Sequence, residues 1–424
     1  MGRSQEKGQG QSPIYNMKLS TVGATRPTET GTTYEPTGLD LAMKLHYLKA
    51  AYIYTPEMAR DLSVTHVKEA MFKLFDQIAW TTGRLWRRDS GRPYIKCNDC
   101  GARFVEGECN FTVEEWLSKP DRSVDEFLVY HQPVGPELPF SPLIYVQMTR
   151  FKCRGLAFGL SWANVMGDSF SLLYAFNLLA KVLSGEKIYA PETSTTDKRF
   201  PNPYPTVKDP KSIKQVDPVG DLWITPNNKK MASYCFNLTV DQITPHFPMN
   251  GDDQIPVFEI IAGIIWKNIA KVREDPEPLT VTIIRKDPND LKPIRSIRNG
   301  QMISSVHVDF PGRPWELVRC IERATDERCG IDEIGERCDG SLDFVVYGAK
   351  LTFVDLSEVD VYEARVMGKS PVSVYCNVEG IGEEGLVVVY AAARWEERVV
   401  TMTLPEEEME WIKSEFKKCG LITP

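Results

Sequence analysis

No apolar run in this 424-residue sequence reaches the ~20 residues that a membrane-spanning helix requires. The longest, around 257–266 and 386–393, are about half that length and read as core elements. A secretory signal is missing as well: the opening MGRSQEKGQGQSP is polar, rich in glycine and glutamine, and holds no apolar stretch. Gly2 invites a myristoylation reading, but Glu6 stands where that pattern requires serine or threonine. Any membrane association is therefore expected to come through a partner or a surface patch. Positive charge is not in excess; the formal charge of −8 gives no general attraction to nucleic acid, and no nucleic-acid partner is expected.

Metal ligands are also scarce. Ten cysteines without a secretory signal imply reduced thiols in a cytosolic setting. Cys97-Asn98-Asp99-Cys100 with nearby Cys109 lacks a fourth Cys or His at useful spacing, so no metal is expected. There are only five histidines (His46, His66, His131, His246, His307), and none shows a partner pattern for a nucleophilic triad. His46 reads as a packed residue and His66 as a solvated one.

What is present is an ordinary globular composition, 42% apolar and 25% charged, on a chain long enough for two domains. Residues 1–35, rich in Gly, Ser, Thr and Pro, are expected to be mobile. Residues 36–186 form a first domain, 187–220 a proline-rich crossover, and 221–424 a second domain. LDLAMKLHYLKAAY reads as a buried helix or a mixed turn-and-strand segment. Ser63 or Thr65 caps a helix whose stripe is Val67, Met71, Leu74, Phe75 and Ile78. Strands are predicted at 93–97, 101–105 and 141–149. The second half predicts strands at 234–239, 279–285, 343–354, 372–378, 385–392 and 398–403, with helices at 256–273, 314–326 and 405–417. Gly380–Gly385 reads as a hairpin turn between two strands, and Glu406–Glu408 as an acidic first helical turn. Strands and helices mixed on both sides of the crossover give two α/β domains.

The most informative stretch runs from Gly155 to Gly185: an apolar run to Trp162, a turn at 164–168, then an apolar helix over 170–183. Asn164 and Asp168 thus sit where a strand delivers the chain to a helix N-terminus, a placement that often carries function. Asp168 suits a helix cap; Asn164 suits either a turn or a polar contact to a ligand. Trp80, Trp116, Trp162 and Trp266 read as core, Trp162 lying two residues from Asn164.

The stretch LSWANVMGDSFSLLYAFN resembles the signature region of the BAHD acyl-CoA-dependent acyltransferases, where a His, three variable residues and an Asp precede a small residue and Phe-Ser. Asn164 occupies the His position and Asp168 the Asp position. WTTGRL, FSPLIYVQMTRFKCRGLAFGLSW and the late LPEEEM match in order, so the resemblance covers nearly the whole chain after about residue 18. PYIKCND, FTVEEWLSKPDRSVDEFLVY and DFVVYGAKLTFVDL are similar to the eceriferum branch of that family.

The resemblance implies two domains of chloramphenicol-acetyltransferase type with a solvent tunnel between them. In catalytic members the His is the general base and the Asp braces the loop through an arginine. An imidazole can accept and return a proton near neutral pH, and a carboxamide cannot. Loss of a general base costs roughly 10²–10⁴ in rate. The second family signature, Asp-Phe-Gly-Trp-Gly, is replaced by Ala364-Arg365-Val366-Met367-Gly368. Neither catalytic landmark is intact. The resemblance therefore implies a non-catalytic accessory protein that promotes elongation of very-long-chain fatty acids for wax or pollen-coat lipids. Its expected partner is a 3-ketoacyl-CoA synthase at the cytosolic face of the endoplasmic reticulum. No cofactor is expected, and long-chain acyl-CoA is the candidate ligand. The alternative is an acyl-CoA-dependent acyltransferase with an unconventional base.

Overall fold

The computed structural model describes residues 12–59, 62–191, 207–246, 256–273, 280–288, 296–308, 314–337 and 342–422, with the side chains of 314–317 excepted. Two large sheets dominate. The first has six strands in the order Ile14–Val22, Ala102–Cys109, Ile144–Phe151, Leu156–Ala163, Tyr47–Tyr54 and Ser373–Glu379. The second has seven: Met231–Thr239, Glu397–Pro405, Leu386–Ala391, Leu351–Leu356, Thr280–Arg285, Met302–His307 and Thr325–Asp326. The chain is an α/β protein of two sheet-rich domains.

Leu156–Ala163 lies inside the first sheet, antiparallel to a strand on each side, and every residue in it is buried. That explains its unbroken apolar sequence, because a strand covered on both faces shows no polar alternation. One cover is the helix Ser169–Leu183, whose Phe176 stacks on Tyr52 with ring centroids 3.8 Å apart. Burying each such aromatic or leucine contributes about 1.5–3 kcal/mol. On the other face Leu128 crosses so closely that a Cβ on Gly159 would overlap its carbonyl oxygen.

The halves of the chain are not separate bodies. Ser373–Glu379, from the second half, completes the first sheet by pairing antiparallel with Tyr47–Tyr54. The next strand, Leu386–Ala391, belongs to the second sheet, so Gly380–Gly385 is a sheet-to-sheet crossing rather than the expected hairpin turn. Local sequence signals a turn there; which sheet each flanking strand joins is a tertiary choice. The opening segment differs from expectation as well: Ile14–Val22, within residues expected to be mobile, is the edge strand of the first sheet. Its side chains are mostly exposed, so no apolar alternation marked it. LDLAMKLHYLKAAY resolves into a short helix, Gly38–Ala42, and the strand Tyr47–Tyr54. The expected strand over 343–354 is two, Asp343–Val345 and Leu351–Leu356. The apolar helix of the second half, Val257–Val272, and the acidic-capped helix Glu406–Lys418 fall where the sequence places them.

Candidate functional site at the strand-to-helix loop

After Ala163 the chain makes a single 3₁₀ turn, Asn164–Met166, and enters the helix at Asp168. Trp162 braces this turn from inside, its indole N–H donating to the Gly167 carbonyl at 3.0 Å. Asp168 is the helix N-cap: Oδ1 accepts from the Ser171 amide at 2.9 Å. Oδ2 accepts from the amides of Gly300 and Gln301 at 2.8 and 2.9 Å. Ser171 Oγ adds a bond to the Arg298 carbonyl at 2.8 Å, and the Asp168 amide donates to the same oxygen at 3.2 Å. The loop of the first half is thus gripped by residues 298–301 of the second. Burial pushes the Asp168 carboxyl upward in pKa, against the three amides that favour its charged form.

Asn164 is fully buried. Its amide donates to the His46 carbonyl at 3.0 Å, and its Nδ2 donates to Asn299 Oδ1 at 3.2 Å. Asn299 Nδ2 in turn donates to the Asn164 carbonyl at 2.8 Å and to Asp40 Oδ1 at 2.9 Å. Two acceptors fix the orientation of the Asn299 amide, which leaves its oxygen facing Asn164 and so fixes that carboxamide too. Position 164 therefore carries one half of an inter-domain amide pair. Nothing in it takes up and returns a proton near neutral pH.

His46 does not supply the missing base. It is buried, its Nδ1 donates to the Gly380 carbonyl at 2.8 Å, and its Nε2 accepts from the amides of Val346 and Tyr347 at 2.9 and 3.3 Å. Burial pushes its pKa down to about 4, so it is neutral at pH 7, and both nitrogens are occupied in holding the halves together. A folded pKa below the ordinary ~6.5 means that this stabilisation is complete above pH 6.5 and lost as pH falls toward 4. The wild-type advantage over His46→Gln in urea unfolding should therefore shrink by about 2 kcal/mol between pH 7 and pH 5. His131 bonds Ser161 Oγ through Nδ1 at 2.7 Å, a pairing across 30 positions that no local pattern signals.

The altered second signature forms a tight turn. Val366 and Lys369 exchange both backbone bonds at 3.0 Å, with Met367 and Gly368 at φ +51° and +74°. Two successive positive φ values define a type I′ turn. Ala364 is buried and its carbonyl accepts from Tyr54 Oη at 2.6 Å, while the Arg365 carbonyl accepts from Ser184 Oγ at 3.0 Å. Met367 is exposed and pays the left-handed penalty that glycine avoids. Met367→Gly should raise the unfolding free energy by about 0.5–1 kcal/mol in urea melts.

Space at the loop is narrow. A cavity of about 20 Å³ touches Asp168, Phe170, Ser171, Arg298 and Gln301. Another of about 10 Å³ lies between Leu172 and Leu173 of the helix and Leu356, Val378 and Val388 of the second half. Each holds about one water. The two halves are closely packed against each other at this point. Sequence reasoning located Asn164 and Asp168 but missed Asn299, 135 positions from Asn164 and brought against it only by the fold, and Asp40, 124 positions away and linked to Asn164 through Asn299.

This fold and this loop define the class. Residues 16–285 match the model of the Transferase family, and the chain belongs to that family, the BAHD acyltransferases. Protein ECERIFERUM 26 of Arabidopsis thaliana is 76% identical over the full length of both chains, and Protein ECERIFERUM 26-like of the same plant is 62% identical, also over the full length of both. Protein ECERIFERUM 2 is 34% identical over 95% of this chain and 98% of its own. Among solved structures, vinorine synthase superposes with a TM-score of 0.71 at 16% identity, covering 96% of this chain and 98% of that one. TRI101 of F. graminearum, complexed with coenzyme A and deoxynivalenol, gives 0.66 at 13% identity, covering 92% and 99%. These establish the two-domain fold.

Proposed function

We propose that this chain is a non-catalytic accessory factor for elongation of very-long-chain fatty acids destined for cuticular wax or pollen-coat lipids. It acts with a 3-ketoacyl-CoA synthase at the cytosolic face of the endoplasmic reticulum, and long-chain acyl-CoA is its candidate ligand. The observation that carries this reading is Asn164: a carboxamide in the general-base position, fully buried and tied to Asn299. The likeness to the ECERIFERUM proteins supports the pathway. Among the described residues no helix is long and apolar enough to cross a membrane, which agrees with attachment through a partner.

A second reading, an acyltransferase with an unconventional base, is favoured by the retained fold, which TRI101 shares in a structure complexed with coenzyme A. Purified protein supplied with long-chain acyl-CoA and alcohol or amine acceptors decides between them. The accessory reading expects no release of free CoA above the protein-free rate. Acceptor-dependent release would establish the acyltransferase.

A further inference from the structure

The two most exposed large apolar side chains among the described residues are Tyr189 and Trp395, each 80% exposed. The altered second signature ties their segments together. Ser184, at the end of the helix that leads to Tyr189, donates through Oγ to the Arg365 carbonyl at 3.0 Å. A cavity of about 140 Å³ is lined by Tyr362 and Val372 on either side of that signature, and by Ala392, Ala393 and Arg394 just before Trp395. Met367, in the turn between Val366 and Lys369, is itself 51% exposed. Three separate connections at one end of the molecule thus each lift one apolar side chain into solvent. Every one has a base beside it: Lys187 before Tyr189, Arg365 and Lys369 around Met367, and Arg394 before Trp395, all exposed. Arg398 also donates to the Trp395 carbonyl at 2.9 Å. Glu186, Glu363 and Glu396 are exposed in the same connections, while Glu397 pairs with Arg394 at 3.4 Å.

We propose that this end of the molecule docks on a phospholipid bilayer containing anionic lipids, with Tyr189, Met367 and Trp395 inserted among the headgroups. A protein partner binds through a contiguous, well-packed apolar centre, and three single side chains on separate connections do not form one. A headgroup layer is fluid and closes around each of them. Tryptophan and tyrosine favour that layer because their rings are apolar with a polar edge, and methionine adapts its shape to it. The bases beside the tips meet the lipid phosphates. Because the exposed acids offset much of this charge, insertion of the apolar tips is the larger contribution. Trp411 provides an internal contrast. It is 67% exposed, but on its helix Glu407 and Glu408 lie one turn before it and Glu415 one turn after, a setting that an anionic surface repels. The proposal goes beyond the reading above, which attaches the chain through a partner, and it holds whether or not the chain assists elongation.

The test is flotation of the full-length protein with vesicles of phosphatidylcholine and phosphatidylinositol, and with vesicles of phosphatidylcholine alone. The unaltered protein should float with the mixed vesicles and bind the neutral ones more weakly. Trp395→Ser should weaken partition into the mixed vesicles about 5–10-fold. Adding Tyr189→Ser and Met367→Gly should bring the loss to about 100-fold. Trp411→Ser should leave binding unchanged. All four side chains are exposed, and circular dichroism checks that each variant is folded. No flotation of the unaltered protein, or equal flotation of the folded triple variant, would overturn the proposal. So would capture only by vesicles that carry a condensing enzyme, which would make these residues a protein interface. Chain-length assays of elongation are read separately, so failure here and failure of the accessory reading are distinguishable.

Discussion

Asp168→Ala should lower the unfolding free energy by about 3–5 kcal/mol, a large share of the ~5–15 kcal/mol that holds a typical domain together. The carboxylate satisfies three buried amides at once: Ser171 at the start of the helix, and Gly300 and Gln301 across the domain boundary. Alanine leaves all three without an acceptor. Each unpaired buried amide costs ~1–3 kcal/mol, and the helix also loses its cap. Asp168→Asn should fall between. Its oxygen can keep the two amides that share Oδ2, while its NH₂ faces the Ser171 amide, so a loss of about 1–2 kcal/mol is expected. Urea melts of the three proteins give this ranking directly. Unchanged stability in Asp168→Ala would mean that the side chain is not the bracket between the halves.

The second large effect lies where two helices cross. Gly38–Ala42 of the first half meets Arg328–Glu336 of the second so closely that a Cβ on Gly335 would overlap the Gly38 carbonyl oxygen. Glycine is needed here for close approach, since both clashing groups belong to backbones that cannot rotate away. The contact also brings two carboxylates onto the start of the first helix: Glu336 accepts from the Gly38 amide and Asp332 from the Leu39 amide, each at 2.8 Å. Helix propensity alone predicts that Gly335→Ala stabilises by ~1 kcal/mol. The geometry predicts the opposite sign. Overpacking and two weakened hydrogen bonds outweigh propensity, for a net loss of about 2–4 kcal/mol. The displaced helix carries Asp40, so the change should also loosen Asn299 and with it Asn164. Equilibrium unfolding measures the first effect, and hydrogen exchange at the Asn164 amide the second.

Much of this arrangement is written locally and therefore legible in the sequence. The apolar run ending at Trp162, the polar turn and the long apolar helix give a central strand, a loop and a covering helix, because burial on both faces leaves a plain signature. Asp168 as a cap follows from the same reading. What the sequence does not show is pairing over distance. Asn299 stands between Arg298 and Gly300 in a stretch with no periodic pattern, and only the fold brings it against Asn164 and Asp40. The edge strand Ile14–Val22 is hidden for another reason, since a strand with few buried side chains carries no apolar alternation. Ser373–Glu379 is recognisable as a strand, but nothing local says that it crosses to the first sheet.

The role proposed for this chain is to assist elongation without proton transfer of its own. Its most direct test is the chain length of fatty acids in a yeast host expressing a plant condensing enzyme, with and without this protein. Longer products are expected when the protein is present, from a chain whose purified form releases no CoA. Unchanged chain length with every condensing enzyme tried, together with acceptor-dependent CoA release, would contradict it.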